Sequence, residues 1–248
     1  MSVLVEICAC SVDDVMESEK GGAQRVELCS AFPLGGLTPS IGTLIECKRL
    51  SNLPVMFMIR PRSGGFAYSE AEFGSMQRDM DVATEHGADG FVFGILHGDG
   101  TVDTNRTKQL VNRAQGLPTV FHRAFDVTPN PFEALEAIVD LGISRLLTSG
   151  QSRSSLEGAG LIRELIENSG DRIEIMAGGG IRPHNVGDLV RRTGCKMVHL
   201  SAHTSHRDSS IQPNAVVSFN ASSATSEMNF EVIDQSVVAA IVREAQAL

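Results

Sequence analysis

The sequence predicts an α/β protein in which eight strand–helix units close into a single (β/α)8 TIM-type barrel. Short apolar runs alternate with longer helical patterns from one end of the 248-residue chain to the other. Pairs such as Gly22-Ala23, Gly87-Ala88 and Gly142-Ile143 precede strands, where a glycine can end a helix in the left-handed conformation. This repetition predicts a parallel sheet, and eight units in about 250 residues favour a closed barrel over an open, doubly wound sheet.

Each element is placed by its hydrophobic pattern and its boundary residues. The predicted strands cover residues 4–8, 25–29, 55–60, 90–95, 119–122, 145–148, 173–177 and 197–201. The predicted helices cover residues 12–20, 41–50, 69–86, 105–114, 131–141, 155–168 and 184–192, and a final helix is predicted at about 230–247. Ser11, Ser40 and Ser69 stand at helix starts, where a hydroxyl can cap the first N–H groups. One domain therefore spans residues 1–248, with an irregular insertion at about 203–229 before the last helix.

Composition and charge exclude several classes of protein. Hydrophobic residues make up 42% and charged residues 21%, and the formal net charge is −9 with no dense Lys/Arg stripe, which argues against a nucleic-acid partner. No apolar run approaches the roughly 18–20 residues that span a bilayer, so no membrane association is expected. The five cysteines are irregularly spaced and the N-terminus reads as a strand, not as a signal peptide. A cytoplasmic location is expected.

Alternation along the strands places polar side chains inside the barrel. In the first strand Val5 and Ile7 suit the helix layer, which leaves Glu6 and Cys8 inward. The second strand repeats this pattern and leaves Glu27 and Cys29 inward. The same alternation predicts that further residues face into the barrel, namely Met56, Met58, Arg60, His122, Thr148, Gly178, His199 and Ser201.

Two interpretations of these inward charges stay open, because a buried charge must pair or face a ligand. Glu6 and Glu27 can form an internal ion-pair network with Arg60. Alternatively, the groups line a pocket for a small anionic ligand at the C-terminal mouth, where barrel active sites lie. In that case Glu6 or Glu27 is the acid/base and Arg60 clamps a phosphate or carboxylate. The predicted lining is Glu6, Glu27, Arg60, His122, Thr148, Gly179 and Ser201, with Arg60 close to at least one of the two glutamates.

Glycine-rich and hydroxyl-rich loops extend the predicted anion site. The run Met176-Ala-Gly-Gly-Gly-Ile181 follows the seventh strand, and Thr148-Ser-Gly-Gln-Ser152 follows the sixth. Bare backbone N–H groups can approach an anion, and barrels commonly hold phosphate near these loops. Tight turns also favour glycine, so the pattern has a structural explanation as well. The candidate ligand-binding residues are Thr148, Ser149, Gly178, Gly179, Gly180 and Ser201.

Cys8 and Cys29 occupy equivalent positions on strands that are predicted to be neighbours. Adjacent strands lie ~4.8 Å apart, so the two sulfurs can reach one soft metal ion such as Cu(I), with Cys10 or Met58 as a third ligand. The alternative is that both cysteines are small buried side chains. His203 and His206 follow His199 in the sequence but carry no zinc-binding motif, and they are interpreted as surface histidines.

Several ordered motifs resemble the CutC family. They are Glu6-Ile-Cys8, Gly21-Gly-Ala-Gln-Arg-Val-Glu-Leu-Cys29, Gly35-Gly-Leu-Thr-Pro-Ser40, Met58-Ile-Arg-Pro-Arg62, Asp89-Gly-Phe-Val-Phe-Gly94, Phe121-His-Arg-Ala-Phe-Asp126, Leu147-Thr-Ser-Gly150 and Gly178-Gly-Gly180. The resemblance implies a cytosolic (β/α)8 barrel, often a homodimer, linked by name to copper homeostasis. It also implies Cu(I) binding through Cys8 and Cys29. His122, Arg123 and Asp126 lie in one matched motif and join Glu6, Glu27 and Arg60 as candidate catalytic residues, should the protein be an enzyme.

Overall fold

Eight parallel strands form a closed barrel in the computed structural model, which describes residues 3–210 and 228–247. The barrel strands are β1 (Leu4–Ala9), β2 (Arg25–Leu28), β3 (Val55–Met58), β4 (Gly90–Phe93), β5 (Thr119–Phe121), β6 (Arg145–Thr148), β7 (Glu174–Gly178) and β8 (Met197–Leu200). Each strand pairs with the next along the chain, and β8 pairs with β1, which closes the barrel. The predicted fold class is confirmed.

The helices surround the barrel in the predicted order. They are α1 (Val12–Lys20), α2 (Ile41–Leu50), α3 (Glu70–Glu85), α4 (Thr104–Arg113), α5 (Pro131–Asp140), α6 (Ala159–Ser169), α7 (Val186–Thr193) and α8 (Gln235–Gln246). Ser11, Ser40 and Ser69 each accept a hydrogen bond from a backbone N–H in the first helical turn, as predicted. Within residues 3–210 and 228–247, no helix combines the length and apolar character that crossing a membrane requires.

The predicted irregular insertion has regular ends. Strands β9 (His203–Arg207) and β10 (Asn229–Ile233) pair antiparallel outside the barrel. The last helix consequently begins at Gln235 and not near residue 230, and Asp234 caps it by accepting a hydrogen bond from the Ser236 N–H. Residues 211–227 of the predicted insertion lie outside the described residues.

The buried apolar residues form two clusters, one on each side of the barrel strands. Val5, Ile7, Val26 and Leu28 belong to the large core between the strands and the helices. A second, smaller cluster fills the barrel and consists of Cys8, Cys29, Met56, Met58, Val92, Val120, Leu147, Met176 and Met197. The inward direction of both cysteines is therefore confirmed, and the interior is unusually rich in sulfur.

Candidate functional site

A cavity of about 500 Å³ opens at the C-terminal mouth of the barrel. Its lining includes the predicted residues Glu27, Arg60, His122, Arg123, Gly179, Gly180 and Ser201, together with Cys8, Met58, Phe66, Arg182 and His199. Glu6 and Thr148 were predicted to line this cavity but do not. Glu6 has the predicted inward parity but lies beneath the cavity. The inward parity predicted for Thr148 was wrong, because Leu147 belongs to the cluster inside the barrel, which leaves Leu146 and Thr148 on the helix-facing side of β6.

Glu6 lies beneath the cavity in a buried ion pair with Arg25. It is 0% exposed, Arg25 Nε donates to its Oε2, and its Oε1 lies 2.7 Å from His199 Nδ1. Burial raises the pKa of Glu6, but the His199 hydrogen bond and the charge of Arg25 outweigh this effect and lower it to about 2. Because Glu6 is fully buried and does not line the cavity, it has no access to a ligand there, and the predicted acid/base role does not fit it.

The predicted ion pair between Arg60 and a glutamate is wrong. Within the described residues Arg60 forms no ion pair; its guanidinium donates to the carbonyl oxygens of Leu34, Gly36 and Gly64 at 2.8–3.0 Å. It also lies 5.1 Å from the ring centroid of Phe66. The physical reason is that β3 ends at Met58, so the chain at Arg60 has left the ladder and its side chain turns toward the surrounding loops.

Glu27 and His199 face each other across the mouth. His199 Nε2 lies 3.8 Å from Glu27 Oε1, while its other ring nitrogen is held by Glu6. Burial raises the pKa of Glu27 to about 7, against the opposing charge of His199. Among the described residues, Glu27 Oε2 has no hydrogen-bond partner although the residue is only 3% exposed. Glu27 is therefore the glutamate that a bound species can reach.

His122 lies in the wall of the cavity and has a single, buried ring N–H. Its Nδ1 accepts a hydrogen bond from the Ala124 N–H at 3.2 Å, so the neutral ring carries its proton on Nε2. That Nε2 is buried without an acceptor in the described part of the chain. Burial, followed by the nearby charge of Arg60, lowers the pKa of His122 to about 3. The ring is consequently a neutral hydrogen-bond donor across the physiological range.

Asp126 organises the loop after β6 and does not line the cavity. Its carboxylate accepts hydrogen bonds from the Thr148 hydroxyl and from the Ser149 N–H and hydroxyl, and it pairs with Arg123 at 2.7 Å. Arg123 also donates to the Ser149 hydroxyl at 2.7 Å. Thr148 and Ser149, predicted as ligand-binding residues, thus hold the loop in place. Arg123 is the member of this group that reaches the cavity.

The glycine run after β7 forms a side-chain-free wall of the mouth. Gly179 and Gly180 have φ values of 110° and 72°, which favour glycine. A Cβ on Gly179 would lie 3.3 Å from Ser149 Cβ and 3.4 Å from an Arg123 nitrogen. Gly178 is the last residue of β7, directly opposite His199 on β8, and does not line the cavity.

Three thiols lie side by side where β1 and β2 end. Cys29 Sγ is 3.5 Å from both Cys8 Sγ and Cys10 Sγ, which is contact but not a disulfide. This confirms the predicted proximity of Cys8 and Cys29. Hydrogen bonds from Cys29 and Cys8 lower the pKa of Cys10, whereas the hydrogen bond to Cys10 raises the pKa of Cys8. The three thiols therefore titrate as a coupled group, in which the protonation of each depends on the other two.

Sequence reasoning missed three residues of this region. Arg25 has the same strand parity as Glu27 and could have been placed inward on that signal. Arg182 lies two residues after Gly180, the last residue of the glycine run. His203, interpreted as a surface residue, has a side chain only 6% exposed and lies 4.7 Å from the ring of Phe32. No local signal identifies His203, because its burial depends on the pairing of β9 with β10.

The fold and the site together define a TIM barrel with a thiol cluster and a polar cavity at its mouth. A sequence model described as the CutC family matches residues 3–204 of the chain. The chain belongs to the CutC family.

Relatives agree with this membership over nearly the whole chain. A CutC family protein of Treponema denticola is 42% identical over 231 residues, covering 93% of this chain and 94% of the relative. The human copper homeostasis protein cutC homolog is 43% identical over 236 residues, covering 95% of this chain and 86% of the relative.

Solved structures support the fold. The putative copper homeostasis protein CutC of Streptococcus agalactiae matches with a TM-score of 0.77 and 37% identity, covering 80% of this chain and 98% of that one. The N-(5'-phosphoribosyl)anthranilate isomerase of Pyrococcus furiosus matches with a TM-score of 0.58 but only 14% identity, over 99% of this chain and 100% of that one. The second likeness shows the shared barrel fold alone.

Proposed function

We propose that this CutC family protein binds Cu(I) through Cys8 and Cys29, with Cys10 as the third ligand, and thereby serves copper homeostasis in the cytoplasm. The observation that carries the proposal is the three-sulfur cluster at the mouth of the barrel. The family membership and the names of the relatives support the choice of copper.

The cluster fits a soft monovalent ion in geometry and in chemistry. Two sulfurs that each lie ~2.3 Å from one metal ion are separated by roughly 3.8–4.0 Å, taking the zinc–sulfur distance as a guide. The two Sγ–Sγ distances of 3.5 Å need only a small outward movement to reach that value. Thiolates select Cu(I) over hard ions such as Mg²⁺.

The surroundings of the cluster favour the same ion. Cys10 is half-buried and gives access from the surface, whereas Cys8 and Cys29 are buried. Met56 and Met58 belong to the same apolar cluster, so the site offers thioether sulfur and little water. Five free thiols in one chain persist in a reducing compartment, which is the basis for proposing the cytoplasm.

A Cu(I) titration of the reduced protein against a chromophoric competing chelator tests this proposal. The wild-type protein is expected to take up one ion, and Cys8→Ala or Cys29→Ala to lower the affinity at least tenfold. Cys47→Ala and Cys195→Ala are matched controls, because these two buried free cysteines lie in the helix-facing core. Both control variants are expected to bind as the wild type does.

The result decides between a metal site and buried apolar cysteines. Equal affinity in the wild type, Cys29→Ala and Cys195→Ala would show that the cluster has no role in copper binding. The comparisons favour the copper interpretation over a barrel enzyme that acts on a small anionic metabolite, so we do not propose the enzyme. A homodimer is also proposed from the family resemblance, and sedimentation measurements on the purified protein would test it.

A further inference from the structure

Three side chains on adjacent barrel strands bring different donor atoms together. One sulfur, one carboxylate oxygen and one imidazole nitrogen of Cys8, Glu27 and His199 all lie within 4.8 Å of one another. Cys8 on β1 is directly opposite Glu27 on β2, and His199 lies on β8, the other neighbour of β1. Because the three residues belong to paired strands and not to loops, the barrel itself fixes their spacing.

The unpartnered oxygen of Glu27 is an independent sign that something binds here. Buried polar atoms are almost always hydrogen-bonded, because losing water without a replacement costs free energy. Glu27 Oε2 is buried in the cavity wall and has no partner among the described residues. A cation bound between Glu27 and its neighbours would satisfy this atom.

His199 is already oriented as a metal ligand. Its Nδ1 faces Glu6 at 2.7 Å, and Glu6 is held in turn by Arg25. With the Nδ1 hydrogen directed at this carboxylate, Nε2 is the ring nitrogen that faces Glu27, and it can bind a metal ion once it has given up its proton. Histidines that ligate metals typically donate their other N–H to a carboxylate, which fixes the ring and raises its basicity.

We propose that Cys8, Glu27 and His199 bind a divalent ion of the zinc class at the mouth of the barrel. Such ions accept sulfur, nitrogen and oxygen ligands in one site, and zinc sites with three protein ligands leave a fourth position open. Here the cavity of about 500 Å³ provides room for that position. Two nitrogen or oxygen ligands at ~2.0–2.1 Å from a tetrahedral ion are about 3.4 Å apart. The observed separation of His199 Nε2 and Glu27 Oε1 is 3.8 Å.

This site differs from the three-cysteine cluster and does not depend on it. It uses Glu27 and His199, which a soft monovalent ion has little reason to choose, and it needs neither Cys10 nor Cys29. The two sites share Cys8, so they cannot be fully occupied at once. Binding requires Cys8 as a thiolate and His199 without a proton on Nε2, and the protons that these two groups carry are released to solvent.

A Co²⁺ titration of the full-length, reduced, metal-free protein tests the proposal, because Co²⁺ reports its ligands optically. The wild type is expected to develop a thiolate-to-cobalt charge-transfer band and visible d–d bands, and Zn²⁺ is expected to displace the Co²⁺. His199→Gln retains a side-chain N–H for Glu6 and is expected to weaken Co²⁺ binding at least tenfold. His206→Gln, at an exposed histidine on β9, is the matched control and should bind as the wild type does.

Two further variants separate this site from the copper site. Glu27→Gln, nearly identical in shape to glutamate, is also expected to weaken Co²⁺ binding at least tenfold, and it serves as the second variant if His199→Gln does not fold. Cys29→Ala should retain the Co²⁺ bands, whereas both His199→Gln and Glu27→Gln should retain Cu(I) binding. Absence of a cobalt spectrum in the wild type, or a spectrum lost in Cys29→Ala but kept in Glu27→Gln, would overturn the mixed-ligand site whatever the copper titration gives.

Discussion

Replacing Arg25 by methionine should destabilise the protein strongly, because it leaves the Glu6 carboxylate charged and buried. Arg25 is 5% exposed and Glu6 is 0% exposed, so water cannot take over the role of the guanidinium. The new side chain itself should be accommodated. Arg25 Nη2 already lies 3.6 Å from Met176 Sδ and 3.9 Å from Met197 Sδ, which makes the surroundings suitable for a thioether.

The magnitude follows from the burial of the ion pair. Removing one partner of a buried ion pair typically costs about 3–5 kcal/mol. The lowered pKa of Glu6 agrees with the sign of this loss, because the His199 hydrogen bond and the charge of Arg25 together stabilise the charged carboxylate against its burial. For a chain of this size, about 3–5 kcal/mol lowers Tm by roughly 6–20 °C.

The pH dependence of the loss gives a second readout. Because the folded-state pKa of Glu6 is depressed, its contribution is fully present above pH 4.5 and is lost as the pH falls through about 2. The difference between wild type and Arg25→Met should therefore be largest near pH 7 and should shrink below pH 4.5. In the double variant Glu6→Gln/Arg25→Met, which has no buried charge at this pair, much of the stability should return.

Urea unfolding of metal-free protein at pH 7 and pH 3 measures these differences directly. Arg49→Met is the matched control, because Arg49 pairs with Glu46 on the surface with side-chain exposures of 62% and 47%. That variant should be nearly as stable as the wild type, because exposed ion pairs contribute little. If Arg25→Met were as stable as Arg49→Met, or if its deficit were the same at both pH values, the buried pair would not contribute as argued here.

Two further perturbations test the packing of the mouth. The pKa of His122 is lowered from 6.5 to about 3 by folding. Between these two pH values the unfolded chain binds a proton at His122 and the folded chain does not, so the free energy of unfolding decreases as the pH is lowered below 6.5. Between pH 7 and pH 5 this residue should lower the free energy of unfolding by about 2 kcal/mol. In His122→Asn, the free energy of unfolding measured in urea should therefore depend less on pH than it does in the wild type. The same pH dependence in both proteins would contradict the buried neutral ring. Gly158→Ala places a Cβ 2.0 Å from Ser149 O and should lower the stability measured by thermal unfolding by about 1–3 kcal/mol or more. Gly160→Ala, with open space around its Cβ, should be neutral or stabilising by up to ~1 kcal/mol. Equal stability of the two variants would refute the steric argument.

Strand parity explains why so much of the barrel could be predicted from the sequence. Each strand buries both faces, and the branched apolar residues mark the helix-facing side, so Glu6, Cys8, Glu27 and Cys29 could be placed inward by elimination. The parity argument holds only while the chain stays in the ladder. The argument therefore did not predict the hydrogen-bond partners of Arg60, because Arg60 lies beyond the end of β3.

Ion-pair partners could not be predicted in the same way, because they depend on register and depth. Glu6 is opposite Arg25 on β2 and His199 on β8, a relation that the pairing of three strands sets and that no single segment shows. His203 is a similar case. Its Nε2 lies 3.8 Å from Asp14, whose carboxylate also accepts the Ile233 N–H, 219 residues away in sequence. Contacts of that separation carry no local sequence signature.

The barrel interior arranges its charge in two layers with different roles. In the lower layer Glu6 and Arg25 neutralise each other and have no access to the cavity, so the role of this pair is structural. Glu6 uses its second oxygen to hold one nitrogen of His199 and thereby turns the other nitrogen toward Glu27 in the upper layer. The upper layer is left with an unpartnered carboxylate oxygen beside Cys8. A fold that only needed to fill its barrel would pair Glu27 as completely as it pairs Glu6. Both oxygens of Glu6 have partners, whereas one oxygen of Glu27, at the next level of the barrel, has none among the described residues. This difference is the strongest structural argument that the mouth binds a cation.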